Sequence, residues 1–247
     1  MRFQDQNFVV SGGSAGIGLA TARRLAAEGA RVAVLARDPA RLESAIAGLP
    51  GAGHVPVMCD VASEEAAGAA IKALKEKWGV IHGGVMCAGA HSVRPLAVSK
   101  AANFEEMFRL NVLTAVNVLR PLVRALPAGA GSLVVVSSVA GLRGAPGASA
   151  YATAKGALLA LVRSLAHELA PRGARINAVV PGVVSTAMTA QFLDSLPPAQ
   201  KEAVVKSHPL GLGQPEDVAA AIAFLLSADA RWVTGTELVI DGGLSAH

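Results

Sequence analysis

A tyrosine and a lysine one helical turn apart form a pair suited to acid–base chemistry. Tyr151 is the single tyrosine of the 247-residue chain, and Lys155 follows four positions later in a helix-forming stretch. One turn of helix places both side chains on the same face. An ammonium beside a phenol favours the phenolate and so lowers the pKa of the phenol toward working pH. The pair predicts a group that exchanges a proton with a substrate; the alternative is a packed tyrosine beside a solvated lysine.

A glycine-rich loop near the amino terminus has the pattern of a phosphate-binding turn. Residues 11–18 read Ser-Gly-Gly-Ser-Ala-Gly-Ile-Gly, after an apolar run and before a long amphipathic stretch. Gly12 permits a tight turn, Gly16 lets the backbone approach a pyrophosphate, and Gly18 allows close packing of helix on strand. Free N–H groups at the helix N-terminus then bind the phosphates. An ordinary turn is the alternative, but a first strand-to-helix junction favours dinucleotide binding.

Short apolar runs alternate with helical patterns along the chain. The predicted strands cover residues 7–11, 31–36, 54–58, 84–88, 132–137, 175–180 and 237–240. The predicted helices cover residues 16–28, 39–48, 63–78, 99–126, 150–170 and 215–227. Such alternation implies parallel strands joined by crossover helices that cover both sheet faces. We therefore predict an α/β fold, a single Rossmann-type domain over residues 1–247 with a doubly wound parallel sheet of about seven strands.

One segment breaks the alternation and is predicted to form a mobile lid over a cleft. Residues 185–212 place three prolines around a short helical pattern, and long connections of this kind often serve as active-site lids. Side chains of the lid and of the segment after the fifth strand would shape a largely apolar pocket, or else form lid core and subunit contacts: Met188, Phe192, Leu193, Leu142, Arg143 and Ala145.

Composition argues against several classes of partner. The excess of four positive charges is scattered along the chain, and 4% of the residues are aromatic, too few to stack nucleic-acid bases. No apolar segment reaches the roughly 18 residues that span a membrane. The N-terminus lacks the hydrophobic region of a signal peptide, so we expect a cytoplasmic protein. The six histidines show no ligand spacing with each other or with the two cysteines, so we expect no metal.

Taken together, the motifs resemble those of the short-chain dehydrogenase/reductase family over essentially the whole chain, including its 3-oxoacyl-carrier-protein reductases. The matching segments are the glycine loop, Asp60-Val61, Asn111 in Leu-Asn-Val, Ser138 in Val-Ser-Ser-Val-Ala-Gly, Tyr151 with Lys155, Pro181-Gly182 with Thr186, Thr234-Gly235 and Asp241-Gly242-Gly243. The resemblance implies cofactor binding by Gly12, Ser14, Gly16, Ile17, Gly18, Arg37, Asp60, Val61, Ala88, Gly89, Tyr151, Lys155, Pro181, Gly182 and Thr186.

The resemblance also implies hydride transfer between nicotinamide C4 and a carbonyl carbon, with Tyr151 exchanging the oxygen-bound proton. Lys155 would lower the pKa of that tyrosine and hydrogen-bond the nicotinamide ribose. Ser138 would hold the substrate oxygen, or else act as a simple cap. Asn111 would fix a water that links Lys155 to solvent, or else be a helix-bend residue satisfied by nearby backbone. Ser137 is kept as a structural donor.

The end of the second predicted strand favours NADP(H) over NAD(H). Ala36 occupies the position where NAD enzymes of this family usually carry an acid for the adenine ribose. Arg37 follows and would bind a 2′-phosphate through a charge-assisted fork, or else be a solvated loop charge. Asp38 precedes a proline and is better explained as the N-cap of the next helix.

One motif departs from the family pattern. Where relatives carry Asn-Asn-Ala-Gly, this chain reads Met86-Cys87-Ala88-Gly89. The small pair that would lie against adenine and ribose is kept, but the amides expected to cross-link the sheet are absent. Because the third and fourth strands are not neighbours in the expected strand order, Cys59 and Cys87 should be reduced thiols and not a disulfide.

Three functional readings follow from the resemblance. The first is an NADPH-dependent reductase of a ketone or 3-oxoacyl thioester, and the second is a secondary-alcohol dehydrogenase that works in the oxidising direction. The third is a non-enzymatic cofactor-binding regulator, which would not need a proton donor. Relatives are commonly tetramers built through the helices at 99–126 and 150–170 and the C-terminal segment. Arg143 or Arg172 would receive an acidic carrier protein, or else be surface charges.

Overall fold

All strands of the structure belong to one parallel sheet. The structure is a computed structural model that describes residues 1–246. Its strands are β1 Asn7–Ser11, β2 Arg31–Ala36, β3 Val55–Met58, β4 Gly83–Met86, β5 Ser132–Val136, β6 Arg175–Pro181 and β7 Glu237–Ile240. Their order across the sheet is β3-β2-β1-β4-β5-β6-β7, and every neighbouring pair is parallel. The chain order reverses beside β1, so the sheet is doubly wound as predicted.

Nine α-helices surround this sheet in the described chain. They are α1 Gly16–Ala27, α2 Pro39–Ala47, α3 Glu64–Trp78, α4 Ala101–Phe108, α5 Thr114–Ala125, α6 Ser149–Leu169, α7 Ala187–Asp194, α8 Pro198–Lys206 and α9 Pro215–Leu226. Several begin at a side-chain cap: Asp38 accepts from Arg41 N at 3.0 Å, with Pro39 at the first helical position, and Ser63 accepts from Ala66 N at 3.1 Å. The sequence-based assignment of Asp38 to a helix cap is confirmed.

Alternating strand residues build a hydrophobic core on each face of the sheet. Val9 of β1 packs in the core with residues of α3, α5 and α6, whereas its neighbour Val10 packs in the core with residues of α1, α2 and α9. This follows from the two-residue repeat of a strand, which sends successive side chains to opposite faces. Both faces are covered, so the strands are apolar throughout.

The predicted long helix over residues 99–126 is wrong, because it is interrupted. Residues Arg109–Leu113 form a π-helical turn between α4 and α5. Asn111 Nδ2 donates to Met107 O at 3.0 Å, and Thr114 Oγ1 donates to Leu110 O at 2.9 Å. Side-chain donors that bind carbonyls one turn back compete with the backbone ladder, and single π turns accommodate such insertions.

Residues 185–212, the predicted lid, form two short helices, α7 and α8, instead of the single helical pattern. The ends of this segment are tied together, since Val184 bridges Gly213 in parallel and Ser185 N donates to Gly213 O at 2.8 Å.

The fourth predicted strand also differs from the observed one. It runs over residues 83–86 and not 84–88. Among residues 1–246, none of the helices combines the length and apolarity that crossing a bilayer requires.

Candidate active site

The sheet brings the predicted catalytic residues to its carboxyl edge. Ser138 lies two residues after the end of β5 and caps a 3₁₀ turn at Val139–Gly141. Tyr151 and Lys155 lie in the first turns of α6, which packs against that 3₁₀ turn. Asn111 lies in the π turn after α4, which also contacts α6. Residues from three separate segments of the chain therefore converge at the ends of β4 and β5.

Lys155 is buried and held by backbone. Lys155 is only 6% exposed, and its Nζ donates to Val136 O at 3.0 Å. Its own carbonyl accepts a 2.8 Å hydrogen bond from the Ser137 hydroxyl, so Ser137 is a structural donor as predicted. Burial lowers the pKa of Lys155 to about 8, with the buried Cys87 thiol acting in the opposite direction.

The expected lowering of the Tyr151 pKa is contradicted by the structure. Burial raises the pKa of Tyr151, and a hydrogen bond from Ser138 opposes this only in part. The Lys155 ammonium lies 5.7 Å from the centroid of the tyrosine ring and binds a backbone carbonyl. Desolvation therefore dominates the pKa of Tyr151, and the phenol is protonated at neutral pH.

Ser138 and Asn111 both show the contacts of their simpler structural alternatives. The Ser138 hydroxyl accepts from Ala140 N at 3.2 Å, which is a cap, but it also lines a cleft together with Tyr151. Asn111 is 1% exposed, and its Oδ1 accepts from Ala90 N at 3.2 Å while its amide nitrogen donates to Met107 O. Asn111 is thus satisfied by nearby backbone, and its role in holding a water stays a prediction.

The glycine loop fits a dinucleotide phosphate. Gly12 and Gly16 have φ values of +67° and +51°, which L side chains rarely adopt. A Cβ on Gly12 would lie 2.8 Å from Ala88 N, and a Cβ on Gly18 would overlap the carbonyl oxygen of Gly12. No side chain caps α1, and its first turn carries no acid, so in the described chain its N-terminal amides face an open cradle. That is the arrangement that binds a pyrophosphate.

The remaining predicted cofactor residues lie along the same edge. Arg37 is exposed directly after β2, and Asp60, with Val61 buried beside it, follows β3. Asp60 Oδ1 accepts from Ala62 N at 3.1 Å, which fixes the turn there. Ser14 and Ile17 lie in the half-buried part of the glycine loop. Thr186 caps α7 and would contact a Cβ on Gly16 at 3.2 Å, so the lid begins against the loop.

Two further glycines leave little room for a side chain. A Cβ on Gly89 would lie 2.6 Å from Asn111 Oδ1, and one on Gly182, which follows Pro181, would lie 3.0 Å from Asp241. Ala88 contacts the Gly12 turn. These positions are therefore small for reasons of packing as well as for the cofactor that the resemblance implies.

Both cysteines are free thiols, and β3 and β4 are separated by β2 and β1, as predicted. Cys87, which replaces an amide of the family pattern, lies beside the N-terminus of α1, where Gly18 N–H donates to it. Burial raises the pKa of the Cys87 thiol to about 11, against the effects of Lys155 and of that hydrogen bond. The thiol is therefore neutral.

A cleft of about 600 Å³ opens beside Ser138 and Tyr151. The lid covers one side of it with apolar side chains, and the segments after β4 and β5 form the other sides; residues lining it include Val93, Val139, Ala145, Met188, Phe192, Leu196 and Val204. Of the predicted pocket residues, Arg143, Ala145, Met188 and Phe192 line the cleft, whereas Leu193 is buried in the core and Leu142 is exposed outside the lining.

Two histidines in the cleft wall were not predicted. His91 follows the Ala88-Gly89 pair, and its position two residues past that motif was the available signal. His208 is buried at the end of the lid, where Nε2 accepts from Val183 N at 3.1 Å and Nδ1 donates to Val204 O at 2.8 Å. The contact with Val183 does not follow from the sequence, because it joins residues 25 positions apart.

A parallel nucleotide-binding fold with a tyrosine and a lysine beside its glycine loop defines a nicotinamide-dependent oxidoreductase. The family described as Enoyl-(Acyl carrier protein) reductase matches residues 12–245. The chain belongs to the short-chain dehydrogenase/reductase family, whose members act on alcohol and carbonyl groups.

Several known proteins are similar over the whole chain. Carbonyl reductase family member 4 of Danio rerio is 35% identical over 237 residues, 96% of each chain. 2-(S)-hydroxypropyl-CoM dehydrogenase 3 of Xanthobacter autotrophicus is 37% identical, covering 99% of this chain and 98% of the relative. The crystal structure of levodione reductase superposes with a TM-score of 0.93 at 32% identity, covering 99% of both chains. The fold class is therefore confirmed.

Proposed function

We propose that this protein is an NADPH-dependent carbonyl reductase acting on a ketone or 3-oxoacyl substrate. The observation that carries the proposal is the position of Tyr151 beside Ser138 in the wall of a largely apolar cleft. NADPH, when bound along the glycine loop, supplies the hydride for the carbonyl carbon. Tyr151 donates the proton that the carbonyl oxygen then requires.

Each of the other three residues has a part in that proton transfer. Ser138 donates a hydrogen bond to the substrate oxygen and stabilises the charge that develops on it. Lys155 stays beside the tyrosine ring, and its pKa of about 8 leaves it mostly charged at neutral pH. Asn111 holds the π turn against Ala90 and so fixes the wall on which Lys155 and Gly89 meet. These three residues together support a single proton donor.

The protonation state of Tyr151 favours reduction over oxidation at neutral pH. Burial raises the pKa of its hydroxyl, so the group keeps the proton that reduction requires. Oxidation of an alcohol requires the phenolate, which forms only at higher pH. The second candidate, a secondary-alcohol dehydrogenase, is favoured by the relative named as a 2-(S)-hydroxypropyl-CoM dehydrogenase. A pure cofactor-binding regulator is disfavoured, because it has no use for a proton donor.

The preference for NADPH rests on the end of β2. Ala36 offers no carboxylate for a ribose hydroxyl, Asp38 is engaged as a helix cap, and Arg37 is exposed beside the glycine loop. A guanidinium there binds a 2′-phosphate with two parallel hydrogen bonds.

Further proposals concern the whole protein and its substrate. The chain folds as one domain over residues 1–247 and works as a homotetramer in the cytoplasm. The apolar cleft favours a lipophilic ketone or acyl chain over a free sugar. Acyl thioesters on an acidic carrier protein fit the same cleft, with Arg143 at its wall.

Replacement of Tyr151 by phenylalanine tests the proposal. NADPH oxidation is measured with the purified protein against 3-oxoacyl thioesters, diketones, quinones and keto-sugars. Because the phenylalanine ring fills the same space but has no proton, we expect kcat on an accepted carbonyl to fall by about a hundredfold or more. NADPH binding, followed by its fluorescence, should be unchanged in the variant. Full activity of Tyr151→Phe would remove the tyrosine from the mechanism.

A further inference from the structure

The catalytic tyrosine has an imidazole packed against its ring. His91 and Tyr151 meet edge to face, with ring centroids 4.8 Å apart and planes at 80°. The other side of His91 meets Phe192 of the lid in the same way, at 5.1 Å and 75°. The histidine therefore stands between the proton donor and the lid, in the wall of the cleft.

The polar atoms of this imidazole are uncommitted. Within residues 1–246, neither ring nitrogen of His91 makes a hydrogen bond, although the residue is half-buried. The other two basic side chains of the cleft wall are engaged: both ring nitrogens of His208 bind backbone, and Arg143 donates to Leu244 O. A ring serving only to fill space between Tyr151 and Phe192 would need no nitrogen, so the two ring nitrogens are available to a ligand in the cleft.

The charge state of His91 fits it for a neutral ligand atom. Burial lowers its pKa from the ordinary value, and the nearby Lys155 ammonium lowers it further. At neutral pH the ring is uncharged, with one N–H donor and one acceptor nitrogen. The cleft wall is largely apolar, and the other side-chain donors that line it include Ser138, Tyr151, Thr189 and Gln200.

We propose that His91 is a specificity-determining residue that hydrogen-bonds a second oxygen of the substrate, next to the carbonyl held by Ser138 and Tyr151. The inference rests on the proposed function and narrows it. The preferred substrates are ketones with a further carbonyl or hydroxyl a few bonds from the reacting carbon, such as diketones, hydroxyketones and 3-oxoacyl esters or thioesters. Simple ketones of the same size leave the imidazole unpaired and are poorer substrates.

The test compares two variants on matched substrate pairs. His91→Phe keeps an aromatic ring between Tyr151 and Phe192 but removes the hydrogen bond, and His91→Asn keeps a donor and an acceptor without the ring. The pairs are cyclohexane-1,4-dione with cyclohexanone, and ethyl 3-oxobutanoate with 2-hexanone. We expect His91→Phe to lower kcat/KM about tenfold or more for the oxygen-rich member of each pair and within about twofold for the simple ketone. His91→Asn should restore part of the loss.

A binding measurement gives a readout that needs no turnover. Calorimetric titration of each variant with the dione, in the presence of NADP⁺, measures affinity in a complex that cannot reduce it. His91→Phe should weaken dione binding about tenfold and leave cyclohexanone binding unchanged. Equal losses within a pair, or no loss of dione affinity, would overturn the inference. Wild-type protein that reduces none of these ketones would refute the proposed function instead, and the titration would still decide the role of His91.

Discussion

The ammonium of Lys155 is enclosed by the protein, and this has a thermodynamic consequence. Its pKa falls from 10.5 to about 8, because burial penalises the charged form. Below pH 8 the folded state must keep a desolvated charge, whereas the unfolded chain keeps the same charge in water. Between pH 8 and 10.5 the unfolded state therefore binds more protons than the folded state, and the contribution of Lys155 to the free energy of unfolding increases with pH.

Replacing Lys155 by methionine isolates this contribution. The variant has no lysine to titrate at this position, so it lacks the pH-dependent contribution of Lys155 to the free energy of unfolding. Tyr151 and both cysteines titrate in both proteins. We expect the free energy of unfolding of the variant minus that of wild type to decrease by about 2 kcal/mol between pH 7 and pH 10. Urea denaturation of cofactor-free protein at several pH values measures it. A difference that stays constant with pH would show that the lysine is not buried as a charge.

Replacement of Arg37 by alanine tests the proposed preference for NADPH. If its guanidinium binds the 2′-phosphate, Arg37→Ala should raise KM for NADPH by about 10- to 100-fold and leave KM for NADH nearly unchanged. Arg41→Ala is the matched control, since Arg41 lies one helical turn away and pairs with Asp38 on the exposed surface. Unchanged discrimination between the two cofactors in Arg37→Ala would remove the arginine from the argument.

The glycine loop and α1 form the element most sensitive to added volume. The sequence predicts that Gly18 allows close packing of the helix on the strand. In the structure, a Cβ at Gly18 meets the Gly12 carbonyl and the Gly13 backbone instead. The N-terminus of α1 thus packs on the glycine loop that precedes it, and this contact fixes the conformation of the loop.

Two alanine substitutions separate this packing effect from ordinary helix propensity. Gly18→Ala should lower the free energy of unfolding by about 2 to 3 kcal/mol and weaken NADPH binding, because the loop must shift. Gly68→Ala lies in α3, where a Cβ would meet no atom within 4 Å. It should raise the stability by about 0.5 to 1 kcal/mol, since alanine is the better helix former. Chemical denaturation measures both; similar effects at both positions would contradict the packing argument.

At the level of the assembled chain, exposed apolar side chains support the proposed tetramer. Trp232, in the C-terminal segment beside β7, is 93% exposed, and Phe224 and Val239 lie exposed on α9 and β7. Phe108 and Leu113 are exposed on the segment over residues 99–126, where the π turn lies. Two separate faces of this kind are what an assembly with dihedral symmetry needs.

Light scattering after size exclusion tests the assembly. Wild type should have the mass of four 24.9 kDa chains. Trp232→Glu should yield dimers held by the long-helix face, because a carboxylate is costly to bury at the other face. Met58→Glu, at the opposite edge of the sheet and 72% exposed, is the control and should leave the mass unchanged. A monomeric wild type would refute the tetramer.

Local patterns predicted much of the architecture. The seven strands, the helix cap at Asp38 and the glycine loop each depend on a few consecutive residues, and each lies where the sequence placed it to within one or two residues. The break of the helix over residues 99–126 was missed because it depends on two side chains, Asn111 and Thr114, binding carbonyls that a propensity pattern treats as already paired. Periodicity reports which face is buried, and it does not report such competition.

The residue types of the chain were enough to place it in a family and to name Asn111, Ser138, Tyr151 and Lys155 as candidates, because those motifs are local. Protonation and recognition depended instead on three-dimensional surroundings. Burial raises the pKa of Tyr151 although Lys155 lies nearby, and the imidazole of His91 gains its place only when the segment after β4 meets α6 and the lid. Desolvation and contacts between distant segments exist only in the folded chain, and they set the pKa values and the shape of the cleft.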